Sequence, residues 1–393
     1  MSEMKIIDLK TETPEQEKPK KRIGWQQIVL FSVIAAVVLC IVAVVFLNEA
    51  LNLDRVYRFF KYLTVDKDTY GNYSFDASAS NSYVGFDDGL AVASQTQMCV
   101  YGASGERVGT VQVSFTTPAA VSTDRLVIGY DVGGSNITMA DRSGVKIYSE
   151  SVGGTLVDLD ATADGCVLYA ASGNGYKTEL VVLNTEQKSF YRWGSNTQYF
   201  NCCAISDDTD MIAAVGLGAE GTDFLSTAVL IRTDETEIYR EIPLGAQIIY
   251  ELQFLDNGNL CAIGEDSTSI ISPKGKVLET YDYSEQYLMD YSVSDDTVVL
   301  SLSRYSSGTD YRVAVLDGDG EVLAEKNYTE DIVDVSACGK YVAVLTADEL
   351  HICHRSLKAY ATTENTDAAG CVIMHKNGTA LLVGGGRANL FIP

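Results

Sequence analysis

Apolar positions along this chain follow three regimes in succession: one unbroken block, one helical stripe, and a long series of short runs separated by polar turns. The block is Ile28 to Leu47, IVLFSVIAAVVLCIVAVVFL, without a single charge. At about 1.5 Å per residue it matches the roughly 30 Å hydrocarbon core of a bilayer, so a transmembrane helix is predicted over residues 25–48, with 28–47 in contact with lipid. Trp25 stands where an interfacial aromatic belongs. A cleaved signal peptide would carry a shorter apolar run ending at a small-residue site, and no such site is legible. Next, Ala50, Leu51, Val56, Phe59, Phe60 and Leu63 recur at roughly helical spacing with Arg55, Arg58 and Lys61 between them. They predict a helical juxtamembrane stalk over residues 49–68. The same pattern suits a membrane-surface or partner helix.

From residue 69 onward the runs are short, rich in Val, Ile, Tyr and Thr, and bounded by Gly, Asp, Asn and Ser, which are the marks of strands. No stretch there keeps a helical period for three turns, so residues 69–393 form an all-β domain. Two signatures recur in it. The first is an acidic or glycine turn before an apolar strand: Asp87-Asp88-Gly89, Thr123-Asp124, Asp164-Gly165, Asp207-Asp208, Asp256-Asn257-Gly258, Asp295-Asp296, Cys338-Gly339-Lys340 and Lys376-Asn377-Gly378. Successive spacings of 37, 40, 43, 49, 39, 43 and 38 residues average about 41, the period of a four-stranded propeller blade. The second is a strand-turn-strand hairpin between those turns: CVYGASGERV, TMADRSGVKI, VVLNTEQKSF, LIRTDETEIY, IISPKGKVLE, VLDGDGEVLA and HICHRSLKAY.

The eighth unit, CVIMHKNGTALLVGGGRANLFIP, has three strands and no partner hairpin. Asn72 to Asp76, NYSFD, is placed to supply the missing fourth strand and close the ring, which removes exposed sheet edges. The expectation is an eight-bladed β-propeller, or seven blades should two weak units merge. The hairpins VLDGDGEVLA, IISPKGKVLE and CVYGASGERV resemble the outer hairpins of quinoprotein-type and WD40-type propeller repeats. A short tail, one span and a degenerate propeller together resemble an uncharacterised domain-of-unknown-function family of single-pass membrane proteins from Gram-positive bacteria. That resemblance implies a fold and carries over no functional residue.

Charge narrows the partners. The chain has 29 Lys and Arg against 53 Asp and Glu, a net charge of −24, which repels nucleic acid phosphates. Lys18, Lys20, Lys21 and Arg22 precede the apolar block, so residues 1–24 are expected to stay in the cytoplasm as a tail and the propeller to be extracytoplasmic.

Candidate chemistry is sparse. Cys202-Cys203 resembles the vicinal pair of some quinoprotein dehydrogenases, but the docking Trp typical of each of their blades is missing from a chain with two Trp. Within NCCAIS the two thiols point to opposite faces of a strand and read as packing. Cys99, Cys166, Cys261, Cys353 and Cys371 also sit in apolar runs, and mostly free thiols are expected. His351, Cys353 and His354 cluster in HICH without completing a tetrahedral zinc set. Asp317-Gly318-Asp319-Gly320 opens like a calcium loop, but Val322 stands where such a loop needs glycine. The pairs Asp207-Asp208 and Asp295-Asp296 repeat at one blade position, as turn caps do and a catalytic pair does not. No enzyme activity, cofactor or metal is assigned.

What remains is a surface. The segment GLGAEGTDFLS from Gly216 to Ser226, with Phe224, is expected to project as a loop, and SRYSSGTDY with Tyr305 belongs to the same face. So do the connecting segments carrying Trp193, Tyr199, Phe200, Tyr281, Tyr283 and Tyr287. Aromatic residues are favoured at interfaces and carbohydrate sites. The leading expectation is a membrane-anchored protein-binding or scaffold module with an envelope protein partner. A receptor or sensor for a small ligand or cell-wall glycan is the alternative, followed by a degenerate quinoprotein-like enzyme.

Overall fold

A computed structural model describes residues 25, 31–35, 37–38, 53–63, 65, 70–173, 175–220 and 223–393. The chain divides into two compact units, Met1–Leu63 and Thr64–Pro393. In the first unit, residues 31–35 and 37–38 are helical, and a second helix covers Leu53–Lys61 with Tyr57, Phe59 and Phe60 exposed. Most of the apolar block 28–47 and the whole tail 1–24 lie outside the described residues. Among those described, no helix is long and apolar enough to cross a membrane.

The second unit is eight four-stranded antiparallel sheets, so the fold is an eight-bladed propeller. Blade 1 is β2 (Ser82–Phe86), β3 (Gly89–Ala93), β4 (Gln97–Tyr101) and β5 (Arg107–Gln112), paired in that order. Blades 2 to 7 repeat the plan, opening with β6 (Pro118–Ser122), β10 (Gly154–Ala161), β14 (Phe200–Ile205), β18 (Ile249–Phe254), β22 (Tyr287–Ser294) and β26 (Ile332–Cys338). All eight acidic or glycine turns of the sequence fall between the first and second strands of a blade, and all seven hairpins are third and fourth strands.

Burial explains why the runs look continuous. The second strand of a blade packs against both neighbouring blades, so β3 and β27 (Tyr341–Thr346) are buried at every position. Fourth strands are largely exposed, and β9 (Lys146–Ser151) and β21 (Val277–Asp282) hold no buried position. The vicinal thiols obey the same geometry, since Cys203 joins the core between blades 3 and 4 and Cys202 that between blades 4 and 5. One expectation is corrected: the segment from Gly216 to Ser226 is not a projecting loop. It is the tip of a long hairpin, β15 (Met211–Glu220) with β16 (Asp223–Arg232), whose ladder runs unbroken from Met211↔Arg232 to Glu220↔Asp223.

Blade 8 contains β30 (Cys371–Met374), β31 (Ala380–Gly384) and β32 (Arg387–Phe391), completed by β1 (Asn72–Ser74) from the start of the domain. The register is Asn72↔Asn389, Tyr73↔Ala388 and Ser74↔Arg387. Three residues make a short strand, and flanking bonds reinforce it. Leu390 N–H donates to Gly71 O at 3.0 Å, Phe75 N–H to Gly386 O at 2.9 Å, and toward blade 1 Gly71 N–H donates to Ser104 O at 3.0 Å. Tyr101 Oη donates to Ser74 O at 2.9 Å, and the Tyr73 ring is buried edge-on against Tyr101. Gly105, at φ +91°, permits this approach, because a Cβ there would lie 2.2 Å from Asn72 O.

This seam sets a stability test. Tyr73→Ala removes a buried aromatic at the closure and is expected to cost about 3 kcal/mol or more. Ser74→Ala changes an exposed side chain on the same strand and should stay within about 0.5 kcal/mol. Urea denaturation of both variants checks the difference.

Candidate functional site

Inner strands line the propeller's channel, and five of them carry the same irregularity. Pairing with the second strand slips between Leu156 and Asp158, Phe200 and Cys202, Ile249 and Glu251, Leu288 and Asp290, and Ile332 and Asp334. Each slip is a β-bulge, which bends the strand and re-aims the residues around it. In blades 5, 6 and 7 the unpaired residue, Tyr250, Met289 or Val333, is turned out to solvent. The residue after it is a carboxylate: Glu251, Asp290 or Asp334.

Aspartates on the inner strands answer a specific need. An inner strand has one edge with no strand beside it, and its N–H groups require acceptors. Asp158 Oδ2 accepts from Cys203 N–H at 2.8 Å and Asp160 Oδ2 from Ile205 N–H at 2.9 Å. Asp290 Oδ2 and Ser292 Oγ accept from Val335 and Ala337, and Asp334 Oδ2 and Ser336 Oγ from Val372 and Met374. Every pair advances by two on both strands, so neighbouring inner strands are parallel and all begin at the same end of the ring. The motifs LVDLD, MDYS and VDVS at residues 156–160, 289–292 and 333–336 carry this signal in the sequence. Attention to acidic turns overlooks it.

A cavity of about 350 Å³ in the channel meets Tyr130, Asp158, Asp160, Glu251, Gln253 and Tyr291. Burial raises Asp160 to about 7 against its hydrogen bonds to Ile205 and Ala161, and burial with the charges of Asp158 and Asp160 raises Glu251 to about 8. Asp158 is raised by burial as well. Asp290 and Asp334 form a tight pair, both raised chiefly by burial. Asp158, Asp160, Asp290 and Asp334 serve as bridges between blades.

The end at which inner strands begin is the candidate binding face. Tyr199, Phe224, Tyr287 and Tyr305 all lie on it, 44–62% exposed, contributed by the connector before β14, the β15–β16 hairpin, the start of β22 and the end of β23 (Thr297–Tyr305). The other four predicted aromatics do not present themselves there. Phe200 and Tyr283 are 2% exposed, with the Tyr283 hydroxyl donating to Gly264 O at 2.7 Å. Trp193 is half-buried against Phe200 and donates to Thr236 O at 3.0 Å, and Tyr281 is half-buried with its hydroxyl on Glu325. These four hold blades together. In their place the face gains Tyr176, Leu217, Ile248, Tyr250, Met289 and Val333, all exposed and all from blades 3 to 7. Among the described residues, the other large apolar side chains exposed on the propeller lie on or beside fourth strands, at the outer rim.

Other candidates resolve into packing and turns. All eight propeller thiols are free, six of them buried. His354 stacks on Tyr341 and meets Tyr360, and among the described residues no group of His, Cys, Asp and Glu is placed to hold a metal ion. Asp317 Oδ1 accepts from Asp319 and Glu321 N–H, which fixes the Asp317–Gly320 segment as a hairpin turn. Acidic turns also cross between blades: Asp207 accepts from Ala163 N–H, Asp296 from Asn257 N–H and Asp295 from Gly339 N–H.

Comparison with known proteins follows the fold. The profile of a family described as "Family of unknown function (DUF5711)" matches residues 64–385. No curated protein matches the chain. Among solved structures, the C-terminal WD40 domain of Sif2 is similar with a TM-score of 0.59 at 12% identity, covering 82% of this chain and 97% of that one. BamB from Moraxella catarrhalis is similar with a TM-score of 0.51 at 13% identity, covering 81% and 97%. At these identities the likeness is one of fold.

The channel acids set a pH test. Folding holds Asp160, Glu251 and Asp334 protonated to a higher pH than the unfolded chain does, so the unfolded chain binds fewer protons between about pH 4 and pH 8 and stability falls as pH rises through that window. Thermal unfolding should give its highest Tm near about pH 5, with a fall of about 5 °C or more by about pH 8.5. The double variant Asp160→Asn with Glu251→Gln should flatten that slope, since each amide oxygen still accepts a hydrogen bond. A Tm that does not fall toward pH 8.5 would show these acids ionised in the folded chain as they are in the unfolded one.

Proposed function

We propose that this chain, which belongs to the DUF5711 family of unknown function, is a membrane-anchored protein-interaction scaffold whose partner docks on the face where the inner strands begin. The observation that carries this reading is the segregation of exposed aromatic and aliphatic side chains. Tyr176, Tyr199, Leu217, Phe224, Ile248, Tyr250, Tyr287, Met289, Tyr305 and Val333 share that face over five successive blades, leaving the face of blades 1, 2 and 8 without them among the described residues. Contiguous apolar exposure on a soluble domain marks interaction surfaces, and tyrosine is the residue type that interfaces favour. Scaffold duty also suits a channel whose aspartates are engaged in joining blades. Anchorage rests on the charge-free block Ile28–Leu47, and an extracytoplasmic propeller at the cell envelope on the cluster Lys18 to Arg22 before it.

A photo-activatable residue at position 199 or 305 of the full chain, irradiated in its own cells, should give a discrete protein adduct. The same residue at position 145 or 323 on the rim should not, and equal labelling from both sets would remove the face from the proposal. A membrane-impermeant amine reagent on intact cells should modify Lys177 beside Tyr199; labelling only after lysis would place the propeller on the cytoplasmic side.

A further inference from the structure

The partner's chemistry can be narrowed, resting on the scaffold reading above. Between blades 5 and 6 the binding face sinks into a depression of about 230 Å³. Tyr250, the bulged residue of β18, and Tyr287, the first residue of β22, stand in its walls with rings about half exposed. Glu265 and Asp266 enter from the turn after β19 (Leu260–Gly264), and Glu285 from the segment leading into β22. The backbone around them is bonded: Glu265 N–H donates to Ile248 O, Asp266 N–H to Gln247 Oε1, and Gln286 N–H to Tyr283 O. The carboxylates of Glu265, Asp266 and Glu285 are in a different position, because none forms a hydrogen bond or ion pair with a described group and no Lys or Arg lines the depression.

Elsewhere on this face Tyr199 and Tyr305 already have cations. The Lys177 ammonium lies 5.2 Å from the Tyr199 ring centre, and the Arg304 guanidinium lies 5.7 Å from that of Tyr305 while pairing with Asp310. Among the described residues, the sector between blades 5 and 6 combines open tyrosine rings with carboxylates that have no cation beside them. The surrounding field points the same way, since residues 64–393 hold 46 acidic and 20 basic groups, a net charge of −26. Tyrosine faces attract cations through the ring quadrupole, and carboxylates supply charge-assisted acceptors. Apolar stems of long cationic side chains would lie along the rings while their heads reach the rim.

We infer that the depression between blades 5 and 6 receives a lysine or arginine side chain from an extended basic segment of the partner protein. The reagents are labelled octa-arginine and octa-lysine peptides, and the readout is fluorescence anisotropy against the full chain in detergent at about 0.15 M salt, where the Debye length is about 8 Å and long-range attraction is largely screened. The variant Tyr250→Ala with Tyr287→Ala leaves the charge unchanged and should weaken binding about tenfold, the loss expected for two exposed cation–π contacts. The triple variant Glu265→Gln, Asp266→Asn, Glu285→Gln should weaken it at least as much. A charge-matched control, Asp234→Asn, Glu237→Gln, Glu321→Gln, alters turns at the opposite end and should stay within about twofold.

Equal loss in the control, or no loss in the tyrosine variant, would reduce the effect to net charge and overturn the inference. Unfolding midpoints within about 2 °C of the parent establish that the variants fold. Cross-linking from position 199 or 305 separates the two levels of the proposal: a partner still captured by a variant that has lost peptide binding leaves the scaffold reading intact and refutes only the basic segment. A stronger response to octa-arginine than to octa-lysine assigns the depression to a planar guanidinium, and the reverse to an ammonium.

Discussion

Hydrogen bonds between Asn72–Ser74 and Arg387–Asn389 join the two ends of the propeller, and the remaining blades depend on that join. Each blade buries its second strand only because another blade covers it on either side. An open ring would expose the faces of blades 1 and 8 together with the edge of β32, and the cores between them would lose a wall. A strand of three residues is weak alone, so the seam is bonded in both directions: β1 pairs with β32 on one side, and Gly71 and Tyr101 tie it to blade 1 on the other. The link is placed where the chain enters the domain, so the segment that follows the helix Leu53–Lys61 also holds the ring shut.

Closing a ring creates a second requirement at its centre. Inner strands converge with one unpaired edge each, and backbone N–H groups facing a narrow channel need acceptors that move with the neighbouring blade. Carboxylates and hydroxyls at alternate positions meet that requirement, at the expense of placing several acids in one enclosed space. Burial and mutual repulsion then favour the protonated form, which can still accept from a neighbour through its carbonyl oxygen. The bulge that aims an acid inward also turns its predecessor outward, so Glu251 and Tyr250, or Asp290 and Met289, are two consequences of one backbone irregularity. Channel chemistry and face chemistry are linked in the same strands.

Much of this architecture is legible in the text of the chain, because turn chemistry is local. Asp, Asn and Gly at the blade turns bond their own backbone, as Asp141 and Asp317 do, and so mark strand ends without knowledge of the rest of the fold. NYSFD was legible as the closing strand by subtraction, since the last unit lacks a fourth. The face where the inner strands begin was half legible. Tyr283 and Tyr287 are four residues apart in one connecting segment, yet one is a buried hydroxyl donor and the other a half-exposed ring, and nothing in their spacing separates them. Which way a side chain points there depends on where the strand begins and where it bulges, and a bulge leaves no reliable mark in alternation. Phe224 lies on that face although its segment is a continued hairpin and not the expected loop.

An acidic protein with an apolar face must choose its contacts by exclusion as well as attraction. Net charge of −26 over residues 64–393 disfavours acidic surfaces, including a second copy of the same face. Exposed tyrosines would otherwise be open to any apolar partner. Carboxylates set beside Tyr250 and Tyr287 would make such a contact costly, because an apolar group seated there desolvates Glu265, Asp266 and Glu285 without replacing the lost water. A cationic side chain recovers that loss and adds its attraction to the rings. Selectivity would therefore reside where aromatic area and unpaired charge coincide, while Tyr199 and Tyr305, each already accompanied by a cation of the propeller itself, contribute area with less discrimination of charge.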